Sequence, residues 1–329
     1  MVKAGFISSL LSLAAVTSAW DAPNYGGFNR VWQDNFGGNG GQLPNEGNWN
    51  IITGNLGVNN ELEVYQRDTR NLQLSGGNTL QIVPWRNGNG WTSGRIESKY
   101  VFTPQGGKLT RVEAVLRFGG NSINNKQGIW PAWWMLGDGI RHGVQWPGCG
   151  ELDILETVNG QLTGHGTMHC DTFPGGICNE GNGIGSPVNF PNQDWHTWRL
   201  EIDLRPGNWV DQSITWYLDG QQFQRITGSR INNYNVWRSV AQSPLFFILN
   251  VAVGGNWPGN PNGNTQDGYG SMMEVGYTAQ SFPLLRLSFS VLFTVYIFTA
   301  VLTRHCPYFR SLVRSSYIHY HEKYNLYIF

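Results

Sequence analysis

The chain has 329 residues, 40% of them apolar, enough to bury a sizeable core in one large or two ordinary domains. Basic and acidic residues balance at 22 each, which argues against a protein living on phosphate contacts with nucleic acid. Only 13% are charged while Gly reaches 43 and Trp 15, a composition for a turn-rich β protein with an aromatic-lined groove rather than a helical bundle.

Residues 1–19 read as a secretory signal: Lys3 supplies the positive start, an apolar stretch follows, and Thr17, Ser18 and Ala19 are the small residues before a cut at Trp20. From there short apolar runs alternate with Gly, Asn and Pro clusters, and strands are expected at 80–83, 112–118, 198–204, 213–218 and 244–253. Asn87 to Gly90 reads as a turn, and Asp219-Gly220 as a hairpin returning through Gln222 and Phe223. No stretch sustains a helical period and no repeat emerges, so the body reads as one antiparallel β-sandwich. In a secreted chain Cys170 and Cys178 are expected to pair; Cys149 is either a free buried thiol or a partner for Cys306. The cysteine spacing is not a zinc pattern, no metal is expected, and no N-glycosylation acceptor occurs.

The composition breaks at residue 276. The last Gly is Gly276 and the last Trp is Trp257. Residues 277–329 carry five basic groups (Arg286, Arg304, Arg310, Arg314, Lys323) against Glu322 alone, a net +4. Residues 287–303 hold no charge, at the short limit for a membrane span. The segment 276–329 therefore reads as foreign to the fold, the product of a faulty gene model, with a membrane contact only if 287–303 is a true anchor.

The chemistry concentrates in Glu151-Leu-Asp153-Ile-Leu-Glu156. Alternation puts Glu151 and Asp153 on one strand face, and a bulge at Ile154-Leu155 returns Glu156 to it. Cleaving a glycosidic bond takes a carboxylate to attack the anomeric carbon and a carboxylic acid to protonate the leaving oxygen; crowded carboxyls raise one another's pKa and keep one protonated. Trp130 and Trp134 share a face and suit stacking on sugars, whereas Trp133 points to the core. Trp257, on a Gly-Pro loop, reads as an exposed sugar platform.

The motif Glu151-x-Asp153-x-x-Glu156 resembles the bulged active-site strand of glycoside hydrolase family 16, the laminarinase-like β-glucanases. Gly128-Ile-Trp130-Pro-Ala-Trp133-Trp134-Met-Leu-Gly137, Trp91-Thr-Ser-Gly94-Arg95-Ile-Glu97-Ser and Gly254-Gly-Asn-Trp257-Pro-Gly259 look like further parts of that family. The resemblance, of fungal type, runs from about Phe28 to Val275 and implies a concanavalin A-like β-jelly roll with a concave substrate cleft. It implies Glu151 as nucleophile, Glu156 as acid/base, and Asp153 as assistant to Glu151. Asn60, Arg95, Trp130, Trp134, His169 and Trp257 are then substrate-binding candidates, with Arg95 on substrate or nucleophile and His169 near the acid/base. The family's closing strand is expected to be missing after Val275, with Gly276 in place of an aspartate that holds a structural calcium in some members; no cofactor is expected. The expected protein is a monomeric β-glucan endohydrolase, secreted or in the cell wall, acting on β-1,3 or mixed β-1,3/1,4 glucans with retention. Two alternatives share the fold: a non-catalytic glucan-binding protein and a cell-wall transglycosylase.

Overall fold

The computed structural model describes residues 20–284. The segments 1–19 and 287–303 and Cys306 lie outside these residues. Among the described residues no helix is long and apolar enough to cross a membrane.

Two antiparallel sheets face each other. In spatial order the front sheet contains Ile184–Asn189, Thr163–His169, Glu151–Glu156, Ile129–Gly137, Leu245–Val253, Arg95–Phe102 and Trp49–Ile51. The back sheet runs Gln221–Thr227, Ser213–Leu218, His196–Asp203, Leu109–Phe118, Met273–Pro283, Leu80–Ile82 and Leu72–Leu74, with Phe28–Asp34 also pairing Met273–Pro283. A small third sheet joins Glu63–Tyr65, Gly90–Ser93 and Trp85–Asn87.

Alternation builds the core between the two main sheets. His196–Asp203 alternates strictly, so Trp198, Leu200 and Ile202 are buried there. Trp133, Leu152, Ile154 and Met168 meet them from the front sheet. Gly164 and Gly166 leave room for the large rings opposite: a Cβ on Gly164 would lie 2.4 Å from Trp198, and one on Gly166 2.5 Å from Trp216. Leu245–Val253 is buried along its whole length, because its outward Phe246 and Ile248 are covered by Leu136, Cys149, Trp134 and Ile140. The strands expected from sequence are all present, and the Asp219-Gly220 hairpin closes with both residues at positive φ, 47° and 80°.

The sequence reading failed in two places. Helices occur at Gly228–Ile231 and Tyr234–Ala241, the second capped by the Asn233 side chain. Eight residues are too few to establish a period, although Val236, Trp237, Val240 and Ala241 do form its inward face. The closing strand is also present. Met273–Pro283 pairs with Leu109–Phe118, Leu80–Ile82 and Phe28–Asp34, so the body ends at Pro283 and not at Val275. Residues 276–283 therefore belong to the fold, contrary to the assignment of 276–329 to a foreign tail. The strand was disguised because both faces are buried, which hides the alternation, and because a register shift falls between Val275 and Tyr277. Gly276 occupies that shift; a Cβ there would lie 2.7 Å from the Trp20 ring and 2.8 Å from Val115. Tyr277 then buries its ring against Ala22 and Val115, and its hydroxyl donates to Glu113 at 2.6 Å.

Candidate active site

The strand Glu151–Glu156 carries the expected bulge. Trp134 faces Asp153 and Trp133 faces Leu155, so Ile154 is the extra residue. The ladder to Thr163–His169 shifts at the same place, and Glu151 stands opposite His169 while Glu156 stands opposite His165. Leu152, Ile154 and Leu155 are fully buried in the core. From the other sheet the Trp216 indole donates to the Asp153 carbonyl at 2.7 Å, pinning the backbone beside the bulge. Behind the strand's start, Gly150 sits at φ 81° where a Cβ would lie 2.8 Å from the Ser239 carbonyl, so the helix Tyr234–Ala241 packs directly onto it.

The three carboxylates have different neighbours. Glu151 accepts from the Trp146 indole at 3.2 Å. Asp153, 3% exposed, places Oδ2 3.3 Å from His169 Nε2, which is also 3.9 Å from Glu151 Oε1. Glu156 accepts from the Trp130 indole at 3.0 Å. Burial and then the charge of Asp153 push Glu151 up to about 8, against the opposing pull of His169. Burial, Asp153 and Glu151 push Glu156 well above the usual carboxylate range. The imidazole stands at the Glu151 end, where its charge opposes the upward push on Glu151 more directly than on Glu156.

Aromatic rings flank both ends of this row. At the Glu156 end Trp257 is 43% exposed, edge-on to Trp130 at 5.5 Å and to His165 at 5.0 Å. At the Glu151 end Trp146 lies 5.6 Å from His169 and 6.0 Å from the exposed Phe173. Trp134 donates to Asn250 at 2.8 Å, and Asn250 in turn donates to Tyr65 at 3.1 Å. Asn60 bonds Asn256 at 2.7 Å and ties the segment before Glu63–Tyr65 to the loop of Trp257. Next to it, burial and then Glu63 raise Glu61 to about 8.

Two expected placements change. Arg95 is 8% exposed, hydrogen-bonds Glu97 at 2.8 Å and lies over the Trp134 ring at 4.9 Å; it supports Trp134 instead of touching Glu151. His169 stands at the Glu151 end, not beside Glu156, because the antiparallel register pairs the end of Thr163–His169 with the start of Glu151–Glu156; beyond the extra Ile154 it is His165 that meets Glu156. Sequence reading missed Trp146, His165, Asn250 and Glu180. The strand-face alternation of His165, Thr167 and His169 was the available signal for His165; the others come from loops or from the neighbouring strand and carry none.

Cys170 and Cys178 are disulfide-bonded as expected, and the buried Cys149 has no disulfide partner among the described residues. Glu151, Asp153 and His169 bring their donor atoms within 4.8 Å, near enough for a cation to bridge. The Nδ1 of that histidine lies 2.6 Å from Glu180, so Nε2 is the nitrogen that faces the carboxylates, 3.3 Å from Asp153.

Residues 45–181 match the model of an XgeA-like catalytic domain of glycoside hydrolase family 16. The crystal structure of an endo-1,3-β-glucanase from Streptomyces sioyaensis is 36% identical with a TM-score of 0.75, covering 80% of this chain and 99% of that one. A glucan endo-1,3-β-glucosidase of Cryptopygus antarcticus is 32% identical over 246 residues, 69% of this chain and 81% of that protein. Glucan endo-1,3-β-glucosidase A1 of Niallia circulans is 29% identical over 280 residues, and the chain spans 38% of that longer protein's length. It likewise spans 30% of the clotting factor G alpha subunit of Tachypleus tridentatus. With the bulged carboxylate strand, the two-sheet architecture and these likenesses together, the chain belongs to glycoside hydrolase family 16, among its laminarinase-like members.

Proposed function

We propose that this protein is a secreted endo-acting β-glucanase that cleaves β-1,3 or mixed β-1,3/1,4 glucans with retention of configuration. The observation that carries the reading is the bulge at Ile154, which sets Glu151 and Glu156 on one face with different neighbours. Glu156 gives its proton to the glycosidic oxygen while the Glu151 carboxylate attacks the anomeric carbon and displaces it. Glu156, now ionised, takes a proton from water, whose oxygen releases the sugar from Glu151. Trp257 and Trp130 on one side and Trp146 on the other offer apolar faces to successive sugar rings. The names of the relatives support β-1,3-glucan as substrate, and the reading of residues 1–19 supports secretion. A binding protein would have no use for two half-buried carboxylates held up in pKa, which favours catalysis over recognition.

The test is turnover of laminarin and of a mixed-linkage glucan. Glu151→Gln and Glu156→Gln should each lose several orders of magnitude in kcat with the fold intact. With an activated aryl glycoside, azide should rescue Glu156→Ala and give a glycosyl azide of retained configuration. An inverted product from the unmutated enzyme would overturn the assignment.

A further inference from the structure

Glu180 lies outside the carboxylate motif, just beyond the disulfide-closed stretch between Cys170 and Cys178. Its side chain is fully buried. One carboxylate oxygen accepts the backbone N–H of Cys170 at 2.7 Å, and the other is 2.6 Å from His169 Nδ1. The opposite ring nitrogen faces Asp153 at 3.3 Å and Glu151 at 3.9 Å. Gly183 closes the same loop over the ring, where a Cβ would lie 2.9 Å from His169 Cε1. Asp171 orders the loop by accepting from the Ile177 N–H at 2.9 Å.

Glu180 takes the Nδ1 proton, and Nε2 stands against two carboxylates, 3.3 Å from Asp153 and 3.9 Å from Glu151, whose charges favour a second proton on the ring. A carboxylate buried this deeply also needs a compensating charge. We propose that Glu180 is a positioning residue for glycoside cleavage: it fixes the His169 ring and holds it as an imidazolium between Asp153 and Glu151, so that the nucleophile stays ionised. This rests on the reading of Glu151 as nucleophile. The charged groups that act on His169 are Asp153 and Glu151 on the neighbouring strand and Glu180 on the loop; Trp146 and Gly183 pack on the ring without charge. Burial alone would lower the imidazole, but the bonds and charges of Asp153, Glu180 and Glu151 raise it to about 11. The disulfide thereby has a catalytic consequence, since it anchors the loop that carries Glu180.

The decisive variant is Glu180→Gln, which keeps size and an acceptor for Cys170 while removing the charge. On laminarin, kcat should fall about 10- to 100-fold with KM changed less than about twofold. The acid limb of the kcat/KM profile should move to higher pH by about one unit or more, because the cation that lowers Glu151 is lost. Glu180→Asp should recover part of the activity and return the limb toward its original position. Nitrogen-15 NMR of the unmutated protein should show both His169 ring protons through pH 9; a neutral ring at pH 8 would overturn the proposal even if the variant failed to fold. An unchanged pH profile and kcat in folded Glu180→Gln would overturn it too. Absence of glucan hydrolysis by the unmutated protein would instead refute the underlying function.

Discussion

Trp216→Phe isolates the hydrogen bond that ties the two sheets together beneath the bulge. Trp216 and Trp198 are both fully buried in the back sheet, but the Trp216 indole donates to the Asp153 carbonyl while Trp198 Nε1 has no acceptor among the described residues. Trimming either indole to phenyl removes about 40 Å³, which at about 24 cal/mol per Å³ costs about 1 kcal/mol in each case. Trp216→Phe additionally leaves a buried carbonyl unpaired, a further cost of about 1–3 kcal/mol. Its destabilisation should therefore exceed that of Trp198→Phe by about 1–3 kcal/mol, or about 3–10 °C in Tm. Urea titration of both variants gives the difference directly, and laminarin turnover reads the site: Trp216→Phe should lower kcat because Asp153 sits on the freed backbone, while Trp198→Phe should leave it close to the parent. Equal destabilisation of the two variants would refute the assignment of a structural role to this bond.

The remaining predictions concern the closing strand and the cleft rim. Gly276→Ala forces a methyl toward Trp20 and Val115 and should cost about 1–3 kcal/mol, measured by thermal unfolding; a neutral effect would mean the bulge is not held at Gly276. Ending the chain after Val275 should abolish the yield of folded protein, since two neighbouring strands lose their partner; a folded truncated protein would count against the topology. Trp257→Ala should raise KM for laminarin several-fold with little change in kcat, because the ring is exposed and touches neither carboxylate; a loss confined to kcat would argue against a sugar platform.

The carboxylate strand was legible because one local rule, alternation broken by a single bulge, places Glu151, Asp153 and Glu156 without knowledge of the rest of the chain. Trp130, Trp133 and Trp134 were sorted between cleft and core by the same rule. What could not be read depends on contacts across the fold. Arg95 is held by Glu97 and Trp134, and Glu180 reaches His169 only because the loop folds back on its disulfide. The strand through Gly276 was missed because a segment buried on both sides shows no period, and its polar Thr278 and Gln280 imitate a loop.

The position of that strand has a consequence for how the chain is made. Met273–Pro283 lies in the interior of the back sheet, between the strand Leu109–Phe118 and the strands Leu80–Ile82 and Phe28–Asp34. Until that strand is made, the edges of the earlier strands that pair with it in the folded sheet stay open. The half-built sheet presents unsatisfied backbone and apolar faces until the final strand arrives. Folding of this domain thus completes only once residues 273–283 are available and is governed by contacts between distant parts of the sequence, a regime in which closure is slow.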